Sequence, residues 1–168
     1  MPTSDPNVIP VVIGKVMEFK PKSILDVGVG FGKYGILCRE YLEIWQNHVY
    51  KPASWKTKII GIEAFYGYAN FIHKIAYDGM IYGNVMDHLE EMGKYDLVII
   101  ADVMEHLFPE EGEALLKAIK NHYIVTTPKV TTGQGAEFDN PYEVHKSNWD
   151  NFPWPNRTEV GGQIVAWK

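Results

Sequence analysis

Apolar and polar positions along the 168-residue chain change period several times, from helical spacing to short solid runs and back. Val8, Ile9, Val12, Ile13, Val16 and Met17 recur three and four apart, which predicts a helix over 6–19 with Ser4 or Asp5 as its cap and Pro21 just beyond its end. SILDV at 23–27 is too short for a helix and almost wholly apolar, as a strand covered on both faces must be. A glycine-rich turn follows. Ile36, Leu37, Tyr41, Leu42 and Trp45 then share one face of a second helix over 33–47.

The polar stretch 49–58 leads into IIGIEA at 59–64, another buried strand, and a helix is predicted over 67–77 with a weak strand at 80–82. YDLVIIA at 95–101 is the strongest strand signal, followed by a turn at 102–107 and a helix over 110–121. A fifth strand, YIVTT at 123–127, stops at Pro128. Strands alternating with helices require crossover connections, hence a doubly wound, mostly parallel sheet with helices on both faces, a three-layer αβα domain.

After Pro128 the pattern changes. Residues 128–142 form a Gly/Thr/Asn-rich loop, long enough to expect a functional role, and 147–154 are predicted to make one or two helical turns. Gly161-Gly162 between two short runs marks a tight hairpin, so the sheet should close with an antiparallel C-terminal edge. All of 1–168 reads as a single domain, without repeat or linker.

Composition narrows the classes. With 46% hydrophobic and 22% charged residues the chain is ordinary globular material, which excludes a disordered or fibrous protein. Its net charge of −5, with lysines scattered, marks no nucleic-acid footprint. Cys38 is the single cysteine, so no intrachain disulfide or thiolate zinc set is available. The first twenty residues have neither a basic segment nor an apolar run of spanning length, so a cytoplasmic chain without a membrane association is expected.

The stretch LDVGVGFGKYG sets Gly28, Gly30 and Gly32 between a strand and a helix, where main chain must pass close beneath a ligand. A dinucleotide fingerprint would need a sixth-position glycine, and Lys33 stands there; no G-K-[ST] phosphate loop is present either. The run Asp26-Val27-Gly28-Val29-Gly30-Phe31-Gly32 instead resembles the first motif of class I S-adenosylmethionine (SAM)-dependent methyltransferases. Three later segments are similar to that family in order. Glu63, with Ala64 beside it, stands at the end of the second strand, where the resemblance implies a carboxylate on the ribose hydroxyls. In YGNVMDHL, Asn84 and Val85 take the place of the adenine-reading pair, with Asn84 where the family usually has Asp. In YDLVIIADVMEHL, Ala101 and Asp102 fall where the family approaches the methionine moiety. The resemblance covers about 20–130 and implies SAM as cofactor, with Asp26 accepting from its amino group directly or through water.

Methyl transfer from a sulfonium is an in-line displacement that asks the protein mainly for position, desolvation and a proton acceptor. His106, at the cleft edge, and His145, in NPYEVHKSNWDNF after the fifth strand, are the candidates for that acceptor. Tyr142, Trp149, Phe152 and Trp154 either wall a substrate pocket or cover the core. Asp102 with Asp139-Asn140 is similar to the magnesium site of catechol-type members, but the pair lies far beyond the fifth strand, and no metal is expected. The short region after that strand implies a small-molecule acceptor, or a second copy or partner chain completing the pocket. The alternative function is a SAM-binding module without turnover.

Overall fold

The computed structural model describes residues 3–131 and 133–168. Its centre is one seven-stranded sheet: β1 (Ser23–Val27), β2 (Lys58–Glu63), β3 (Gly79–Tyr82), β4 (Leu97–Ala101), β5 (His122–Pro128), β6 (Asn156–Val160) and β7 (Gln163–Trp167), in the order β3-β2-β1-β4-β5-β7-β6. The first five strands run parallel, and β7 lies antiparallel to both β5 and β6. Gly161 and Gly162 both adopt positive φ in the closing hairpin, the conformation its two-residue turn needs.

Alternation along β4 shows why these runs are strands. Leu97 and Ile99 pack with Val12, Val16, Ile24 and Ile124 on one face, while Val98 and Ile100 pack with Leu25, Leu115, Val125 and Ile164 on the other. A solid apolar run is what a sheet covered on both sides requires. Helix α1 (Ile9–Phe19) and α2 (Lys33–Cys38) supply the first layer, and α4 (Pro109–Ala118) belongs to the second; α3 (Phe71–Ala76) lies in the crossover between β2 and β3.

Two elements differ from the sequence expectation. The helix expected over 33–47 is α-helical only to Cys38 and continues as a wider-wound π-helix over Arg39–Gln46. Residues 147–154 form no helix; Trp149 and Trp154 instead sink into the core, with Phe152 packed against them, and their indole N–H groups donate to Met104 O and Trp149 O. Burial of large aromatic area with satisfied N–H groups outweighs a single helical turn there. The helices expected at 67–77 and 110–121 are shorter, ending at Ala76 and Ala118.

The chain runs outward from β1 to β3 and then returns to β4. A crevice therefore opens at the carboxyl ends of β1 and β4, where the crossovers diverge to opposite sides.

Candidate functional site

The crevice is a cleft of ≈ 980 Å³, open solvent at its mouth included, within the size range of small-molecule sites. Its floor is the turn after β1. Gly28 has φ +74°, and a Cβ there would meet Val103 Cγ2 at 2.2 Å, so a side chain is excluded by both conformation and space. Gly28 N–H donates to Ile62 O at 2.9 Å, which fastens the turn to β2.

Glu63, at the end of β2, is buried and lines the cleft, and its carboxylate is already engaged: Oε2 accepts from Gly30 N–H and Oε1 from Phe65 N–H, each at 2.8 Å. Burial raises its pKa, and those amide bonds oppose the rise. His73 completes this corner. Its Nε2 lies 2.9 Å from Gly30 O and its Nδ1 3.2 Å from Tyr82 Oη; since a carbonyl can only accept, Nε2 carries the hydrogen. No spacing pattern in the sequence marks His73, because the loop it clamps lies 43 residues away in the chain.

Asn84 and Val85 close the next side. The Asn84 side chain accepts from Met86 N–H at 3.0 Å, capping a short 3₁₀ segment over Val85–Glu91. Ala101 and Asp102 close the side beneath β4. Asp102 is held at φ +54°, and its carboxylate accepts from Thr126 Oγ1 at 2.9 Å. Burial raises the Asp102 pKa against the pull of Thr126, Ser4 and Lys33. Lys33, the residue that spoils the dinucleotide pattern, lines the cleft and donates from Nζ to Ser4 O at 2.6 Å.

The roof comes from the long loop after β5. Asn140 Nδ2 donates to Tyr68 Oη at 3.1 Å, and Tyr68 Oη donates to Glu143 Oε1 at 3.0 Å, which ties this loop to the segment following β2. Tyr142 faces the cleft from the same loop. None of these contacts has a spacing signature in the sequence. Only the length and composition of 128–142 hinted at a role.

His106 lines the cleft, and His145 stands behind it with ring centroids 5.0 Å apart. Burial lowers the His106 pKa, so the imidazole is neutral at pH 7. Glu105, fully buried, joins them: one donor atom from each of Glu105, His106 and His145 lies within 4.8 Å of the others.

Of the residues singled out in the sequence, Gly28, Gly30, Glu63, Ala64, Asn84, Val85, Ala101, Asp102 and His106 border this cleft. Asp26, Gly32 and His145 do not. The Asp26 carboxylate turns behind the floor and accepts from Tyr77 Oη at 2.6 Å, while Tyr77 Oη accepts from Gly35 N–H at 3.1 Å. Burial raises its pKa to about 7, the Tyr77 bond opposing and the Glu63 charge adding to the rise. Gly32 packs under Ile72, where a Cβ would meet Cγ2 at 2.8 Å.

The architecture matches solved structures. The PH0226 protein from Pyrococcus horikoshii OT3 is 15% identical with TM-score 0.65, over 96% of this chain and 86% of that one. An O-methyltransferase family protein from Burkholderia thailandensis is 11% identical with TM-score 0.65, over 95% of this chain and 55% of that one, so this chain spans about half its length. The O-methyltransferase from Bacillus cereus in complex with SAH (S-adenosylhomocysteine) is 16% identical with TM-score 0.59, over 98% and 82%. This chain has the class I methyltransferase fold. No family model and no curated protein matches it by sequence. In the methyltransferase fold seen here, the cleft occupies the switch point between β1 and β4, where open α/β sheets bind their ligands. Among the described residues, no helix is long and apolar enough to cross a membrane.

Proposed function

We propose that the chain binds SAM in this cleft and transfers its methyl group to an oxygen or nitrogen of a small acceptor. One observation carries the reading. Four separate segments, the glycine turn after β1, Glu63–Ala64, Asn84–Val85 and Ala101–Asp102, converge on one cleft. The sharing of this fold with an SAH-bound O-methyltransferase supports it.

Bound SAM would supply a methyl group already activated on sulfonium sulfur, so the displacement needs no covalent enzyme intermediate. The residues of this chain bind and orient. The bare main chain at Gly28 and Gly30 would allow close approach, and Glu63, beside Gly30, would accept from the ribose hydroxyls. Asn84 would face the base, and Lys33 opposite Asp102 would offer opposite charges to the two ends of an amino-acid group. The Asn140 and Tyr142 loop excludes water from the reacting centre. His106, neutral and backed by His145, presents a lone pair where the acceptor enters. The acceptor's proton leaves to solvent or base as the carbon–sulfur bond breaks and the new bond to carbon forms, yielding methylated acceptor and SAH.

Thermal unfolding with SAH, SAM and NAD tests the donor. Ligand at a hundred to a thousand times its dissociation constant should add about 2.7–4.1 kcal/mol to stability. SAH and SAM should raise the midpoint and NAD should not. Stabilisation by NAD alone, or by none of the three, would overturn the reading.

A further inference from the structure

Beside the cleft, the turn after β4 and the loop that follows β5 bring two imidazoles and a carboxyl group together. We propose that Glu105, His106 and His145 bind a divalent transition-metal ion at the acceptor end of the cleft. The donor atoms lie within 4.8 Å of one another. Bonds of about 2.0–2.2 Å to nitrogen and oxygen place neighbouring ligand atoms roughly 3–3.5 Å apart. Side-chain rotations on ion binding would have to close that difference.

The supporting contacts orient the donors. His106 Nδ1 lies 3.3 Å from Val144 O; a carbonyl accepts only, so Nδ1 holds the hydrogen and the Nε2 lone pair is left for an ion. Glu105 Oε2 accepts from Thr127 Oγ1 at 3.1 Å, which orients a side chain sealed from water. Main-chain bonds fix the two segments to each other: Lys146 N–H and Ser147 N–H both donate to Glu105 O, at 2.7 and 3.2 Å, and His145 N–H donates to Gln134 O at 3.1 Å. The loop carrying His145 is therefore pinned to the turn carrying Glu105 and His106.

Charge agrees with this geometry. Asp102 and Glu143 act on Glu105 as like charges, so this wall of the cleft concentrates carboxyl groups. Lys146 Nζ sits over the Phe108 ring, 5.0 Å from the centroid. A cation between the imidazoles and Glu105 would offset that excess. Two imidazole ligands with one carboxylate favour Mn²⁺, Fe²⁺, Co²⁺ or Zn²⁺ over Mg²⁺ or Ca²⁺ and leave coordination positions open. The open positions adjoin the cleft that His106 lines. A hydroxyl oxygen of the acceptor bound there would lose its proton more readily; that role rests on the function proposed above, whereas binding of the ion does not. From the sequence no metal is expected, and the pair set aside there, Asp102 with Asp139-Asn140, supplies none of these ligands.

The test uses the whole chain stripped with a chelator and titrated calorimetrically with Mn²⁺, Co²⁺, Zn²⁺ and Mg²⁺, with the visible absorption of the Co²⁺ form as a second readout. One transition ion per chain should bind, and Mg²⁺ more weakly. His106→Ala and His145→Ala should each lower affinity at least tenfold and change the Co²⁺ spectrum, while His48→Ala, at an exposed position, should leave both unchanged. His145→Gln, on a surface loop, repeats the test should an alanine variant fold poorly. Failure of all three transition ions to bind, or binding that survives every His106 and His145 variant, overturns the inference. SAH binding without metal uptake would refute this site and spare the proposed function. Metal uptake without SAH binding would do the reverse.

Discussion

The Glu63 carboxylate accepts the Gly30 backbone N–H at 2.8 Å, joining the end of β2 to the glycine turn after β1. The same acid therefore shapes the cleft floor and lines the cleft proposed above to hold SAM. Replacing it by Gln keeps its size and one carbonyl oxygen but puts a donor against either Gly30 N–H or Phe65 N–H. Glu63→Gln should weaken SAH binding by about 1.5–3 kcal/mol, read by calorimetry, the amount a hydrogen bond to a charged group contributes. An unchanged affinity would remove Glu63 from the site.

Gly35 sits inside α2 with Tyr77 against it, so that a Cβ would meet ring carbon Cζ at 2.3 Å. Gly35→Ala should cost about 1–3 kcal/mol in urea unfolding, because the tightly packed ring must move. Removing the Tyr77 hydroxyl alone would not relieve a contact with ring carbons. Gly14 in α1 has open space around its Cβ position, and Gly14→Ala should instead stabilise by about 0.5–1 kcal/mol. Equal signs for the two glycines would contradict this packing.

Asp26 gives stability a definite pH dependence. Its folded pKa is raised from 3.8 to about 7, so between those values the folded chain keeps a proton that the unfolded chain has released. Stability contributed at acid pH is then lost as pH rises from about 4 to about 7. Three units correspond to an upper limit of about 4 kcal/mol. Asp26→Asn, which mimics the protonated acid, should flatten this part of the profile, measured as urea midpoints from pH 4.5 to 7.5. A profile identical to that of the parent would show that Asp26 is ionised throughout.

Arg39 is buried at the start of the π-helical segment and donates to Ala76 O, Thr57 O and Asp78 Oδ2, at 2.9, 2.5 and 2.9 Å. Glu43 is fully buried nearby, its Oε1 accepting from the amides of Lys56 and Thr57. Arg39→Met should destabilise by about 3–5 kcal/mol, since it leaves the buried Glu43 without the ion-pair partner 3.7 Å away and strips Asp78 and two carbonyls of their donor. Loss of less than 1 kcal/mol would mean that water replaces the guanidinium there.

Much of the architecture was legible because its causes are local. The solid apolar run at β4, the helical spacing before Pro21 and the paired glycines of the last hairpin each encode an element within a few residues. The acid-and-glycine pattern of 26–32 and Glu63 at a strand end were readable for the same reason. The direction of the Asp26 side chain was not, because Tyr77, its partner, lies 51 residues away. Nor was the fate of Trp149 and Trp154: periodicity suggested helical turns, and the core claimed the rings.

By itself, the sequence determined the alternation of strands and helices and the glycine turn after the first strand, since both follow from short-range sterics and burial period. Only the tertiary structure decided that the loop after β5 folds back over the cleft, that Lys33 points into it, and that His145 arrives beside Glu105 and His106. Those juxtapositions depend on contacts between segments far apart in the chain, and such contacts leave no period or spacing along it to read.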